Sequence, residues 1–182
     1  MNRGRWALFL SGRGSTAQAV LDNCAQLNIQ LIVSSKKQNW GRARARRFGV
    51  PSIHFDKNMS WDDLHQNLKK EKIDRLFLLG FMKLIPENFI EKWQNKILNV
   101  HPSLLPKYPG LEAMEKSYHD QADMGVTIHR VTAEMDSGPV VAQKLKLKKT
   151  ELPLLSFEQT QIRMSFCEQE LVRRASEMEK FL

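Results

Sequence analysis

The chain has 182 residues, of which 42% are hydrophobic and 26% charged, and it carries a formal net charge of +8. That length supports one sizeable core and is short for two, so a single domain over 1–182 is expected. No apolar run approaches the roughly 18 to 20 residues of a membrane span, and the amino terminus makes a poor signal peptide, so the expectation is a cytoplasmic protein with no membrane partner. Cys24 and Cys167 stand far apart without metal-ligand spacing, which argues for two buried thiols and against a disulfide framework or a metal site.

Residues 6–10 form a short apolar run, followed by Ser11, Gly12, Arg13, Gly14 and Ser15, and then Ala19, Val20, Cys24 and Leu27 at helical spacing. This reads as strand, glycine turn, helix. Backbone N–H groups at such a helix start suit a phosphate or carboxylate, and Arg13 adds a charge, although two glycines serve any tight turn equally well. Residues 29–33 read as a second strand, 40–48 as a basic helix closed by Gly49, and 50–55 as a third strand. Ser60 is the N-cap of a helix with Asp62 and Asp63 in its first turn and Trp61, Leu64 and Leu68 at helical spacing.

Residues 75–79 make a fourth strand ended by Gly80, Pro86 opens a short helix reaching Trp93, and 96–100 make a fifth strand. Residues 112–119 suit a helix, 125–131 alternate as a strand, 132–139 form a polar turn, and 140–147 return as a strand. From Ser156 a long amphipathic helix carries Ile162, Phe166, Cys167, Leu171, Ala175 and Met178 on its apolar stripe. This order predicts an α/β fold: a Rossmann-like, doubly wound, mostly parallel sheet of about seven strands with a C-terminal antiparallel pair and a long C-terminal helix.

The positive charge concentrates in Arg42, Arg44, Arg46 and Arg47 and in Lys144, Lys146, Lys148 and Lys149. The lysine spacing suits the solvated face of an edge strand. Because no aromatic residues interleave these cations, they are read as solvated faces rather than a nucleic-acid surface. A small anionic substrate stays compatible with the charge.

The densest chemistry lies at 97–110. Pro102, Pro106 and Pro109 prevent both a central strand and a helix from continuing, so Asn99 and His101 end a strand on one face and lead into a shaped loop. Asp136, in the turn before the last strand, is the third candidate. An amide, an imidazole and a carboxylate suit a reaction that develops an oxyanion and moves a proton. A lone His in a proline-rich loop and an Asp before Ser-Gly-Pro also serve as ordinary structural residues. His54, His65, His119 and His129 are read as structural or exposed. Ser103 lacks the strand-turn-helix elbow of a hydrolase nucleophile.

The string Asn99-Val100-His101-Pro102-Ser103-Leu104-Leu105-Pro106-Lys107-Tyr108-Pro109-Gly110 resembles the signature of the glycinamide ribonucleotide formyltransferases, folate-dependent enzymes of purine synthesis. Ser11 to Ser15 looks like the glycine loop of that family, Leu79-Gly80-Phe81-Met82-Lys83 like its folate-cleft segment, and Glu134 to Val140 like its catalytic-aspartate loop. The resemblance implies transfer of a formyl group from the co-substrate 10-formyltetrahydrofolate to the primary amine of glycinamide ribonucleotide, through an oxyanion-stabilised tetrahedral intermediate. A monomer or homodimer with no metal is expected.

By the same resemblance Asn99, His101 and Asp136 are catalytic, and Phe81, Met82, Lys83 and Leu84 with Val131, Thr132, Ala133 and Glu134 hold the pterin. Gly12, Arg13, Gly14, Ser15, Thr16, Pro102 and Glu168 take the acceptor, and Leu105-Pro106 is the bond to inspect for a cis form. The departures lie on the acceptor side: Arg13 and Thr16 replace two asparagines, Ser34-Ser35-Lys36 replaces a Ser-Asn-Lys/Arg motif, Ser165 stands where a Gln is common, and Met124-Gly125 replaces a pair that commonly begins with His. They leave open a related N-formyltransferase acting on another amine, such as a nucleotide-linked amino sugar, and a catalytically inactive binding protein of the same fold.

Overall fold

Trp6, Ala7, Leu8, Phe9 and Leu10 are all buried, which an alternating strand achieves only when both faces of its sheet are covered. The computed structural model describes residues 4–38 and 40–178, so part of the amino-terminal signal-peptide reading, residues 1–3, lies outside the described residues. In chain order the elements are β1 (Arg5–Leu10), α1 (Ser15–Asn23), β2 (Asn28–Ser34), α2 (Trp40–Arg47), β3 (Ser52–His54), α3 (Trp61–Lys70) and β4 (Arg75–Leu78). There follow α4 (Glu87–Lys92), β5 (Ile97–His101), α5 (Ala113–His119), β6 (Met124–Arg130), β7 (Val140–Leu147) and α6 (Phe157–Ser176).

The strands form one sheet in the order β3-β2-β1-β4-β5-β6-β7. β1 through β5 pair in parallel, while β6 runs antiparallel to both β5 and β7. Side chains of β1 divide between two cores. Trp6, Leu8 and Leu10 pack with Ala17 and Val20 of α1, Ala45 of α2 and Met164, Cys167 and Leu171 of α6. Ala7 and Phe9 pack on the other face with Leu64 and Leu68 of α3 and Phe89 of α4. Helices on both faces of a mostly parallel sheet are the expected architecture.

Local chemistry explains the sharper boundaries. Ser60 caps α3 by accepting from the Asp63 N–H, and the Asp63 carboxylate accepts from the Ser60 N–H in return, a capping box. Ser156 and Gln159 repeat the arrangement at α6. Replacing Ser60 with Ala is expected to lower stability by about 1 kcal/mol in a denaturant titration; an unchanged midpoint would show that the cap contributes nothing in solution.

Some expectations required correction. β3 spans only Ser52–His54, and α1 ends at Asn23, so Leu27 joins the core from beyond the helix. On α6, Ile162 and Phe166 are 53% and 63% exposed, while Thr160, Met164, Cys167, Leu171 and Ala175 form the buried stripe at steps of three and four. Lys144, on the edge strand β7, is half-buried and paired with Glu170 of α6 rather than fully solvated. Cys24 and Cys167 are buried and unbridged. Among the described residues no helix is long and apolar enough to cross a membrane.

Candidate active site

Asn99 and His101 are two residues apart at the end of β5 and therefore share a face. β6 pairs with β5 so that His129 stands directly opposite Asn99. The turn after β6 then returns Asp136 to this pair, with Asp136 in a left-handed conformation at φ 52°. Aspartate tolerates that region better than most residues, which makes the tight return accessible.

The Asp136 carboxylate is the hub of the cluster. Its Oδ2 accepts from the Gly110 N–H at 2.7 Å and lies 3.3 Å from His101 Nδ1. Its Oδ1 lies 3.4 Å from His129 Nε2 and 3.5 Å from the Asn99 Nδ2 donor. Burial works to raise this carboxyl, but the His129 hydrogen bond, the Gly110 N–H and the charges of His101 and His129 outweigh it and hold the carboxyl at about 2. Asp136 is accordingly ionised at neutral pH.

The ring of His101 is 5% exposed, with Nε2 2.8 Å from the Tyr108 carbonyl and Nδ1 facing Asp136. Both neighbours only accept, so the doubly protonated ring satisfies the two contacts together. His129 places Nδ1 3.0 Å from the Arg130 carbonyl, which fixes a proton there, and its Nε2 lies 3.2 Å from Asn99 Nδ2 and 3.4 Å from Asp136 Oδ1. His129 is thus part of the cluster, whereas its sequence context alone points to a structural or exposed residue. Its place on the Thr127/His129 face of β6 was readable, but the register opposite Asn99 was not.

The loop after β5 is held from below. The Thr127 hydroxyl donates to the Ser103 carbonyl at 2.7 Å and accepts from Leu105 N–H and from Gln143 Nε2. The Ser103 hydroxyl donates to the Lys107 carbonyl at 2.7 Å, a bond that closes the loop. The Leu105-Pro106 peptide bond is cis. Pro102 is half-buried beside His101 in the chain.

The remaining candidates form two groups around this cluster. Phe81 and Val131 pack on the same core cluster, while Met82 and Leu84 are exposed by 67% and 77%. Ser11 joins the strand ends: its N–H donates to the Gly80 carbonyl, and its hydroxyl oxygen accepts from Met82 N–H and Ser35 Oγ. Lys83 lies over the Phe55 ring at 5.0 Å. Thr132 Oγ1 donates to the Glu134 carbonyl, closing the turn on which Ala133 is exposed.

On the acceptor side, Gly14 takes φ 72°, and a Cβ there would sit 2.7 Å from the Gly41 Cα, so both conformation and space call for glycine. Gly12, Arg13 and Ser15 are exposed around it, and Arg13 has no partner among the described residues. Thr16 is buried and donates to Glu168 Oε1 at 2.9 Å, joining α1 to α6.

Burial raises the Glu168 carboxyl to about 7, with the Thr16 hydrogen bond acting in the opposite direction. The folded chain therefore holds a proton that the unfolded chain releases near the ordinary glutamate value of 4.5. Stability contributed by the protonated form is full below about 4.5 and is lost as pH rises toward 7. Because the side chain keeps some solvent contact, the expected loss is about 1–2 kcal/mol. Denaturant titrations from pH 4.5 to 8 should show this slope in the native protein and a flatter profile in Glu168→Gln; parallel profiles would reject the assignment.

The formyl transferase family profile matches residues 4–175. The phosphoribosylglycinamide formyltransferase of Bacillus subtilis is 32% identical over 152 residues, covering 77% of this chain and 77% of that protein. The trifunctional purine biosynthetic protein adenosine-3 of Drosophila melanogaster is 34% identical over 154 residues, and the match covers 78% of this chain but only 11% of that protein. Among solved structures, glycinamide ribonucleotide transformylase 1 from Geobacillus kaustophilus superimposes with a TM-score of 0.88 at 30% identity, over 97% of this chain and 98% of that one.

Proposed function

The chain belongs to the formyl transferase family, and from that premise we propose that it transfers a formyl group from 10-formyltetrahydrofolate to the primary amine of glycinamide ribonucleotide in purine synthesis. The observation that carries this reading is the convergence of Asn99, His101 and Asp136 at the carboxyl end of β5, where open α/β sheets place their ligands. The co-substrate supplies an activated formyl carbon. As the acceptor amine attacks it, negative charge develops on the formyl oxygen, and the Asn99 amide as a donor and the His101 imidazolium through its positive charge suit that oxygen. Asp136, already ionised, holds the imidazolium and accepts through water the proton that the amine sheds; the tetrahedral intermediate then collapses by breaking its bond to the folate nitrogen, which takes a proton and leaves as tetrahydrofolate.

Phe81, Met82, Lys83 and Leu84, with Val131, Thr132, Ala133 and Glu134, are assigned to the pterin. The exposed Met82 and Leu84 side chains and the peptide groups around them suit a flat, polar-edged ring. Gly12 to Thr16, Pro102 and Glu168 are assigned to the acceptor, with Arg13, unpaired among the described residues, for its phosphate. Purified protein given 10-formyltetrahydrofolate and glycinamide ribonucleotide should deplete the formyl-folate and yield the formylated product. Binding of the folate with no formylation of this acceptor would overturn the assignment.

Arg13→Ala should raise the acceptor KM about tenfold for the phosphorylated acceptor and far less for its dephosphorylated form, with equal effects arguing against a phosphate contact. A second reading, formylation of a different amine, is favoured by one contact. Thr16, in place of the asparagine of the resembling family, has its hydroxyl committed to Glu168. A panel of amine acceptors, including nucleotide-linked amino sugars, separates the two readings.

A further inference from the structure

Between Asp22 and Asp56 the sequence has no acidic residue but contains Lys36, Lys37, Arg42, Arg44, Arg46 and Arg47. The rest of the chain has 22 basic and 20 acidic side chains, so six of the eight net positive charges arise in this segment. Lys36 and Lys37 follow β2 and the four arginines lie on α2, where Arg42 and Arg46 line one hollow with Lys37.

Trp40, the first residue of α2, is 69% exposed. With Lys37, Gln38, Arg42, Ala43 and Arg46 it lines a solvent-open hollow of about 440 Å³. Ala43, one turn further along the helix, leaves the space between the indole and Arg46. Arg42 is anchored at the rim: its Nε donates to Ser52 Oγ at 3.1 Å and its Nη1 to the Lys37 carbonyl at 2.6 Å. The side chains of Arg44, Arg46 and Arg47 enter no hydrogen bond or ion pair among the described residues. The cations that looked in sequence like an unaccompanied solvated face are, in space, arranged around an exposed aromatic ring.

We infer that α2 and the segment before it form a binding surface for single-stranded nucleic acid, with a base stacking on Trp40 and successive phosphates running along Lys37, Arg42, Arg46 and Arg47. A stacking platform within a cationic track is the combination that takes such strands with little regard to sequence. The charges are strung along the full length of a helix about 12 Å long rather than converging on one point, which suits a chain of phosphates better than one nucleotide. The residues lining the hollow are not among those assigned to formyl transfer, although Gly41 of α2 closely approaches Gly14 of the acceptor loop.

The test is fluorescence anisotropy of a fluorescein-labelled twelve-residue oligouridylate with the whole chain, titrated from low salt to 0.2 M. Binding should weaken with a log–log salt slope of about −2 to −3, as expected for three or four phosphate contacts. Trp40→Ala should weaken binding about tenfold, Trp40→Phe should retain it within about threefold, and the triple variant Arg44→Glu, Arg46→Glu, Arg47→Glu should abolish it. All three should melt and transfer formyl groups as the native protein does. The inference is overturned if the native chain shows no salt-dependent binding, or if normally melting Trp40→Ala and triple variants bind like it. It is equally overturned if adenosine monophosphate competes as well as the oligomer, which would indicate a mononucleotide pocket, or if phosphatidylserine vesicles bind and the oligomer does not.

Discussion

Replacing Asp136 with Asn lowers turnover by at least about a hundredfold while leaving the fold in place. The substitution keeps the shape of the side chain, and its remaining oxygen can still accept from the Gly110 N–H, which lies 2.7 Å from the native carboxylate. What disappears is the negative charge facing His101 at 3.3 Å and His129 at 3.4 Å. Without it, the imidazolium of His101 has lost its counter-ion, and the proton leaving the amine has lost its acceptor. His101→Ala removes the imidazolium itself and is expected to cost at least as much. Steady-state kinetics beside a thermal melt make the check: wild-type turnover in both variants would reject the mechanism, and normal melting with lost turnover would place the effect in the chemistry. Because the Asp136 carboxyl is held at about 2, the stability it contributes is present above its ordinary value of 3.8 and is lost as pH falls toward 2, so this group adds no pH dependence near neutrality.

Gly138→Ala disrupts both stability and turnover, because a Cβ at this position would lie 1.8 Å from the Arg130 carbonyl oxygen and 2.9 Å from its carbon. Both contacts are backbone, so neither can rotate away, and the Arg130 N–H is bonded to the Pro139 carbonyl at 3.0 Å across the same narrow gap. Relief requires the segment from 132 to 139 to lift from the end of β6, and Asp136 rides on that segment. The expected cost is about 2–3 kcal/mol in a denaturant titration, on the scale of overpacking in a closed site. Turnover should fall with it as the carboxylate leaves the two imidazoles. Native-like stability and rate in Gly138→Ala would mean that the turn has room the structure does not show.

Much of this organisation is legible in one dimension because it depends on near neighbours. Ser60 followed by Asp63, and Ser156 followed by Gln159, announce two helix starts through bonds that span three residues. The continuous apolar run before Ser11 announces a strand covered on both faces. Asn99 and His101 share a face through the period of two, and the three prolines after them forbid regular structure. Residue resemblance then joined them to Asp136, whose separation in the chain conceals its 3.3 Å approach to His101.

Other features depend on register and on the direction in which a helix faces, and these are decided by the whole sheet. His129 enters the site because β6 reverses and pairs with β5 at the one register that sets it opposite Asn99. A shift by one residue would turn it to the other face. Ile162 and Phe166 belong by composition to the stripe of α6, yet they face water because docking against α1, β6 and β7 selects the neighbouring line through Met164, Cys167 and Leu171. Trp40 counted in the sequence only as the start of a basic helix; its exposure beside Arg42 and Arg46 follows from how α2 settles against α1 and β2. Local propensity, periodicity and spacing are properties of adjacent residues, and the sequence by itself determined the elements and the chemistry they carry. Which groups meet across the sheet, and which stay exposed, is a long-range outcome of packing that only the tertiary structure decided.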